Sequence, residues 1–312
     1  MMDKTYRVSV VMPCYNAQGT LKETLDSALA QSVQDFCIIA VNDGSQDQTG
    51  DILADYAQRH PEKMQIVSQV NQGQTVAKNV AIRAGQSEYI AFLDSDDLWD
   101  AEKLQKQVAV LDEHPDVGLC YTAAKQVNMR GDQVGRIGVR AAIQGRCHDE
   151  LIKGNQIVAS SVMVRRSAVV QAGLYDETFR ACENWDLWIR IAREWKIAYI
   201  DEPLTSYRVH PNNMSKNFEK MMNARLRVID KHLPGDSVDP MTKRLRTDSL
   251  FQTHMAFAKG HIEALRMSEA RQLLFKTLLL KPTCWSGYKL YAKTLLGAKL
   301  FQLARKIRSG SV

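Results

Sequence analysis

The chain has 312 residues, with 41 lysines and arginines against 35 aspartates and glutamates, a formal net charge of +6 at pH 7 and a hydrophobic fraction of 45%. That is the composition of a soluble globular protein with room for one sizeable domain or two smaller ones. It excludes a membrane span, since no apolar stretch approaches roughly 18 residues, and its scattered cysteines, with no C-x-x-C pair, argue against a zinc site and against disulfides in a reducing compartment.

The first hundred residues alternate strand and helix. Arg7 to Met12 is a β-rich run stopped by Pro13. It lacks the length and cleavage pattern of a signal peptide, so a cytoplasmic location is expected. Thr20-x-x-Glu23 has the form of a capping box opening a helix with Leu21, Leu25, Ala28 and Leu29 on one face. A strand from Phe36 to Val41 ends in the turn Asn42-Asp43-Gly44-Ser45. A helix over about 49–59, a short strand over 65–68 and a helix over 75–84 lead to Tyr89-Ile90-Ala91-Phe92-Leu93, a strand that ends in Asp94, Asp96 and Asp97. Such alternation predicts a mostly parallel central sheet with right-handed crossovers, whose ligands bind beyond the carboxyl ends of the strands.

Three carboxylates at one strand end repel one another unless a cation or a shared proton compensates. Asp94 and Asp96, two apart on an extended chain, can face one ion together. Oxygen ligands select a hard cation, Mg²⁺ or Mn²⁺, which keeps positions open for substrate phosphates. The plainer reading is that Asp96 and Asp97 cap a helix starting near Trp99-Asp100-Ala101. Against it, Pro13 to Asn16, Asn42 to Ser45 and Asp94 to Asp97 converge on one sheet edge. Neither G-x-G-x-x-G nor a P-loop is present, so phosphates would be held by a cation and a few side chains. Lys78, in the first turn of the third helix, is one such candidate, or else a solvated surface lysine.

These segments resemble glycosyltransferase family 2, inverting enzymes with the GT-A fold. The resemblance runs through Pro13-Cys14-Tyr15-Asn16, Asn42-Asp43-Gly44-Ser45, Asn71-Gln72-Gly73 with Ala77-Lys78-Asn79, and Leu93-Asp94-Ser95-Asp96-Asp97. It continues through Ser160 to Arg166, Gly173-Leu174-Tyr175-Asp176-Glu177, Glu183-Asn184-Trp185-Asp186 and Tyr207-Arg208-Val209-His210 with Asn213 and Ser215. It implies a nucleotide-sugar donor, with Pro13, Tyr15 and Asp43 around the base and Asp43 accepting from a uracil N–H. It further implies Asp94 at the ribose or metal, Asp96 on the metal, and His210 near metal or diphosphate, while Arg208 could pair with phosphate oxygens.

One departure stands out. Many members read Glu-Asp-Trp-Asp where this chain has Glu183-Asn184-Trp185-Asp186, and the Asp of the Glu-Asp pair is often the general base. An amide cannot take a proton at neutral pH. The base is then Glu183 or Asp186. Asn184 would cap the next helix, which puts Asp186 in its first turn, where the dipole alone explains it; Glu183 precedes the helix and is free to enter the cleft. Trp185 could stack on a sugar, whereas Trp188 lies on the apolar stripe.

Residues 216–312 form a helical extension, with helices expected over 218–232, 241–259, 261–280 and 285–307. The last is amphipathic and basic, with Lys289, Lys293, Lys299, Arg305, Lys306 and Arg308. It could lie on the anionic inner face of a membrane or pack as an ordinary solvated helix. No module or aromatic-basic pattern for nucleic acid is present. The expected organisation is a nucleotide-sugar-binding half (1–100), an acceptor-binding half (101–215) and the helical region (216–312). The expected function is metal-dependent, inverting transfer from a UDP-sugar to a saccharide or lipid-linked acceptor in cell-surface polysaccharide or glycoconjugate synthesis. The alternatives are transfer to polyprenyl phosphate and a silent nucleotide-sugar-binding protein.

Overall fold

The computed structural model describes residues 5–137, 142–210, 213 and 216–295, and the chain divides into two compact units. The first comprises Met1–Leu151 and Asn155–Lys216, the second Ile152–Gly154 and Asn217–Val312.

The first unit is a mixed α/β layer structure around one sheet. Strands β1 (Val8–Cys14), β2 (Phe36–Asp43), β3 (Met64–Gln69) and β4 (Tyr89–Phe92) alternate with helices α1 (Leu21–Leu29), α2 (Thr49–Arg59) and α3 (Gln74–Ala84). After β5 (Leu98–Trp99) come α4 (Lys103–Glu113), β6 (Val117–Val127), β7 (Gln133–Ile137), α5 (His148–Lys153), β8 (Val162–Arg165), α6 (Arg166–Ala172), α7 (Glu183–Glu194) and β9 (Lys196–Arg208). The strand order is β3-β2-β1-β4-β8-β6-β9-β5, with β7 added beside β6. The segment β3-β2-β1-β4 is parallel throughout, and β6 pairs with β9 in parallel as well. Every residue of β1 and β4 is buried, as expected for parallel strands covered on both faces.

Two local expectations are corrected. Thr20 flanks α1 without capping it: its hydroxyl donates to the Ser95 carbonyl at 3.0 Å, and Glu23 pairs with Arg208, so no capping box forms. Trp99 opens no helix. It lies in β5, antiparallel to β9, and α4 starts only at Lys103, so Asp96 and Asp97 are not its caps.

The second unit contains α8 (Phe218–His232), α9 (Pro240–Glu263), α10 (Met267–Leu280) and α11 (Trp285–Leu295). The break expected near Gly260 falls instead at Leu265, in the left-handed region at φ 60. Gly260 is interior to α9, and the Phe218 ring lies against its backbone: a Cβ there would sit 2.4 Å from the ring. The basic residues Lys299, Arg305, Lys306 and Arg308 lie outside the described residues, as does Ser215.

β4 is the strand that delivers the acidic turn, and its anchor is Phe92, buried edge-on to Tyr175 at 5.7 Å and tilted on Trp188 at 5.5 Å. Phe92→Ala is expected to cost about 3–5 kcal/mol of stability in urea unfolding; a loss below about 1 kcal/mol would contradict this packing.

Candidate functional site

The loops after β1 and β2 are joined side by side. The Asn16 side-chain oxygen accepts from the Gln46 N–H at 2.9 Å, the Asn16 N–H donates to Ser45 Oγ at 3.1 Å, and the Ala17 N–H donates to Thr49 Oγ1 at 2.8 Å. Pro13 is buried within β1, while Tyr15 follows it with 49% of its surface exposed. Asp43 is buried. Its Oδ1 accepts from Gln69 Nε2 (2.7 Å) and the Gln72 N–H (2.8 Å), and its Oδ2 from the Gly73 N–H at 2.8 Å. The carboxylate thus folds the loop entering α3, where Gly73 takes φ +89 with Arg180 so close that a Cβ would meet it at 2.7 Å. Only glycine adopts that conformation without strain.

Beyond β4 the three acids separate into different environments. Asp97 is fully buried, accepting from Ser160 Oγ at 2.6 Å and from the Arg208 N–H at 2.9 Å. Ser160 Oγ in turn accepts the Asp94 N–H at 3.1 Å. Burial first, then the charges of Asp96 and Asp94, push Asp97 well above the usual carboxylate range despite those bonds. Asp96 faces His210, with Nε2 at 2.9 Å from Oδ2. Its pKa is also raised, by burial and by Asp94, with His210 opposing. Arg208 holds the turn from behind: Nε donates to the Asp96 carbonyl at 2.8 Å and an Nη to Glu23 Oε2 at 2.6 Å, and the guanidinium is buried. Thr24 joins Thr20 on the Ser95 carbonyl at 3.1 Å. The acidic turn is therefore clamped from α1 and β9 at once.

Lys78 is the cation of the site. It is fully buried, with Nζ 3.2 Å from Glu183 Oε1, 3.3 Å from Asn184 Oδ1 and 3.6 Å from Asp94 Oδ1. Burial depresses its pKa, but Asp94 and then Glu183 more than offset that, leaving it raised. The solvated-lysine alternative is thereby excluded. Glu183, the buried first residue of α7, also accepts on Oε1 from Gln74 Nε2 and Asn184 Nδ2, each at 2.9 Å. Asn184 does not cap α7. Cys182 precedes the helix in the left-handed region (φ 59), and Asn184 turns its oxygen to Lys78 and to the Tyr175 hydroxyl at 2.9 Å. Asp186 points elsewhere. It is fully buried, and Arg190, one turn on, donates to its Oδ2 from Nε at 3.0 Å and from Nη2 at 2.7 Å. Trp185 and Trp188 are both buried in the core.

The donor set suits a hard cation in one specific respect. Asp94 Oδ1 is buried without a hydrogen-bond partner, and the pKa of Asp96 is raised by burial and then by Asp94; a divalent ion would offset both. Among the described residues no three His, Cys, Asp or Glu side chains form a cage. An ion at Asp94, Asp96 and His210 would therefore share its coordination with substrate oxygens, the mode usual for Mg²⁺.

The structure thus brings Lys78, Asp94, Asp96, Glu183 and His210 together, with Tyr15 and Asp43 along the same edge, and leaves Asp186 apart. Sequence reasoning missed Tyr175, Gln74 and Ser160 as members of this network. Tyr175 and Ser160 sit in motif-like segments, but only their hydrogen bonds identify a role.

A family model described as Glycosyl transferase family 2 matches residues 9–170. The "Putative teichuronic acid biosynthesis glycosyltransferase TuaG" of Bacillus subtilis (strain 168) is 31% identical over 212 residues, covering 67% of this chain and 82% of that protein. Some other curated relatives are longer, and the chain spans 29% to 33% of their length. S. aureus TarS 1-349 in complex with UDP-GlcNAc has a TM-score of 0.67 at 19% identity, over 97% of this chain and 92% of that one. The mannosyltransferase PcManGT from Pyrobaculum calidifontis, in complex with GDP-Man and Mn2+, has a TM-score of 0.61 at 16% identity, over 97% and 89%. At these identities the two structures establish a shared fold, the GT-A-like architecture expected from the resemblance.

Because Asp186 neutralises Arg190 inside the unit, Asp186→Ala is expected to cost about 3 kcal/mol in urea unfolding by stranding that guanidinium. A loss under about 0.5 kcal/mol, typical of a surface site, would contradict a structural role.

Proposed function

The chain belongs to glycosyltransferase family 2, and on that premise we propose that it moves a sugar from a UDP-sugar to an acceptor hydroxyl with inversion at the anomeric carbon. The observation that carries this reading is Lys78, whose single buried ammonium lies between Asp94 on the donor side and Glu183 at the start of α7. Donor contacts and a base are thereby held in one electrostatic unit.

Tyr15, Pro13 and Asp43 border the base and ribose pocket, and Asp43 keeps acceptor capacity for a uracil N–H, since a carboxylate offers about four lone-pair sites. Asp94, Asp96 and His210 are the residues to hold Mn²⁺ or Mg²⁺. When bound, such an ion neutralises charge growing on the leaving diphosphate. Arg208 acts by positioning the acidic turn instead of pairing with phosphate, because its buried guanidinium is bonded to the Asp96 carbonyl, Glu23 and the Met129 carbonyl.

Glu183 is the general base. Gln74, Lys78 and Asn184 all donate to Oε1, leaving Oε2 to take the acceptor proton as the acceptor oxygen attacks the sugar carbon and the bond to diphosphate breaks. Lys78 beside it, 3.2 Å from Oε1, holds the carboxylate in place. A neutral Asn184 places a hydrogen-bond donor beside Glu183 where a second carboxylate would repel it. Residues 1–100 then form the donor half, 101–215 the acceptor half and 216–312 a helical region.

TuaG is named for teichuronic acid biosynthesis and TarS is described with UDP-GlcNAc, which supports a UDP-sugar donor and a saccharide or lipid-linked acceptor of the cell surface. A second reading, a nucleotide-sugar-binding protein without turnover, is favoured by Asn184 alone.

Calorimetry of UDP with and without Mn²⁺, with GDP and CDP as controls, tests the donor assignment. Manganese-dependent binding of UDP is expected, and it is expected to be lost in Asp96→Ala; unchanged affinity in that variant would sink the metal assignment. Glu183→Gln is expected to keep UDP affinity while lowering turnover about 10²–10⁴-fold. Full turnover in that variant would move the base elsewhere, and absence of turnover in the parent protein with every UDP-sugar tried would favour the silent reading.

A further inference from the structure

The excess of positive charge in this protein comes from one end. From residue 270 to 312 there are nine lysines and arginines and no aspartate or glutamate, so the other 269 residues carry 32 basic against 35 acidic groups and are slightly negative. A nucleotide-binding edge in the first unit does not account for that segregation.

The same stretch exposes large apolar side chains. On α10, Phe275 is 56% and Leu279 67% exposed, one turn apart, with the exposed Lys276 between them. On α11, Trp285 is 69%, Tyr288 45% and Leu295 61% exposed, spaced along a single ridge that also carries the exposed Lys289 and Lys293. Lys289 Nζ lies 5.8 Å from the Trp285 ring centre. The opposite sides of these helices are used for folding: Ala270 and Leu274 enter the core of the second unit with Leu290 and Tyr291, and Leu278 meets the backbone of Gly287. The exposed ridges are thus surplus to the packing of the helix pair.

We propose that the α10–α11 ridges are a docking surface for an anionic lipid bilayer, bound in the plane of its interface. Three features select this occupant. Tryptophan and tyrosine carry an apolar body with a polar edge and favour the headgroup level. Lysines flanking the apolar ridge, on helices that carry no Asp or Glu from residue 270 onward, complement acidic headgroups. No helix among the described residues is long and apolar enough to cross a membrane, so contact would be peripheral and reversible. A protein partner would be expected to meet a more mixed charge pattern.

Co-sedimentation of the full chain with phosphatidylcholine vesicles, with and without phosphatidylglycerol, tests this. Binding is expected only with the anionic lipid and is expected to weaken as salt rises. The triple variant Lys276→Glu, Lys289→Glu, Lys293→Glu should partition roughly tenfold or more weakly. Trp285→Ser with Tyr288→Ser should weaken binding at constant charge, and both variants should retain the parent's far-ultraviolet dichroism and UDP affinity. Equal binding to neutral vesicles, unchanged partitioning in both folded variants, or absence of vesicle binding with ridge-dependent self-association in sedimentation velocity would each overturn the proposal.

Discussion

A lysine with no solvent exposure, placed between two carboxylates from distant parts of the chain, sets the terms for everything around it. Burying an ammonium costs several kcal/mol unless charge and hydrogen bonds compensate. Lys78 obtains the charge from Asp94 and Glu183 and the hydrogen bonds from Glu183 and the Asn184 side-chain oxygen. The dependence is mutual. Without Lys78, Asp94 would face Asp96 and Asp97 uncompensated at the end of β4, and Glu183 would begin α7 as a buried lone charge. The interaction ties α3, the β4 turn and α7 together, which are the elements that define the site.

A second constraint acts on the acidic turn itself. Three carboxylates on four residues would splay apart in water, yet each is held differently: Asp97 by Ser160 and a backbone N–H, Asp96 by His210, Asp94 by Lys78 at longer range. The main chain of the turn is fixed by Thr20, Thr24 and Arg208. This is preorganisation: burial and then mutual repulsion, retained in a rigid frame, raise the pKa values of Asp96 and Asp97, and Asp94 Oδ1 is left without a hydrogen bond. A cation bound at Asp94 and Asp96, as proposed, would meet oxygens already in place and lose little ordering entropy on binding.

The strand-helix order of the first hundred residues was legible because parallel strands buried on both faces read as continuous apolar runs ended by turn residues. The convergence of three polar strand ends followed from topology. What could not be read were partnerships set by tertiary contacts. Thr20 and Glu23 have the spacing of a capping box, but the acidic turn and Arg208 are better partners than their own helix. Trp99 looks like a helix start until β9 arrives to pair with it. Lys78 looks like a first-turn surface lysine because its partner Glu183 lies 105 residues away. Gly260 looks like a helix end, yet it is the one residue whose missing side chain admits the Phe218 ring. In each case local propensity lost to a contact of long sequence separation.

If Lys78 and Glu183 form one buried electrostatic unit, a double-mutant cycle on stability with Lys78→Met and Glu183→Gln will show coupling between them. Each single change should destabilise by stranding its partner, and the double variant should recover a coupling energy of about 1–3 kcal/mol. Additivity within about 0.3–0.5 kcal/mol, the behaviour of independent sites, would contradict the account.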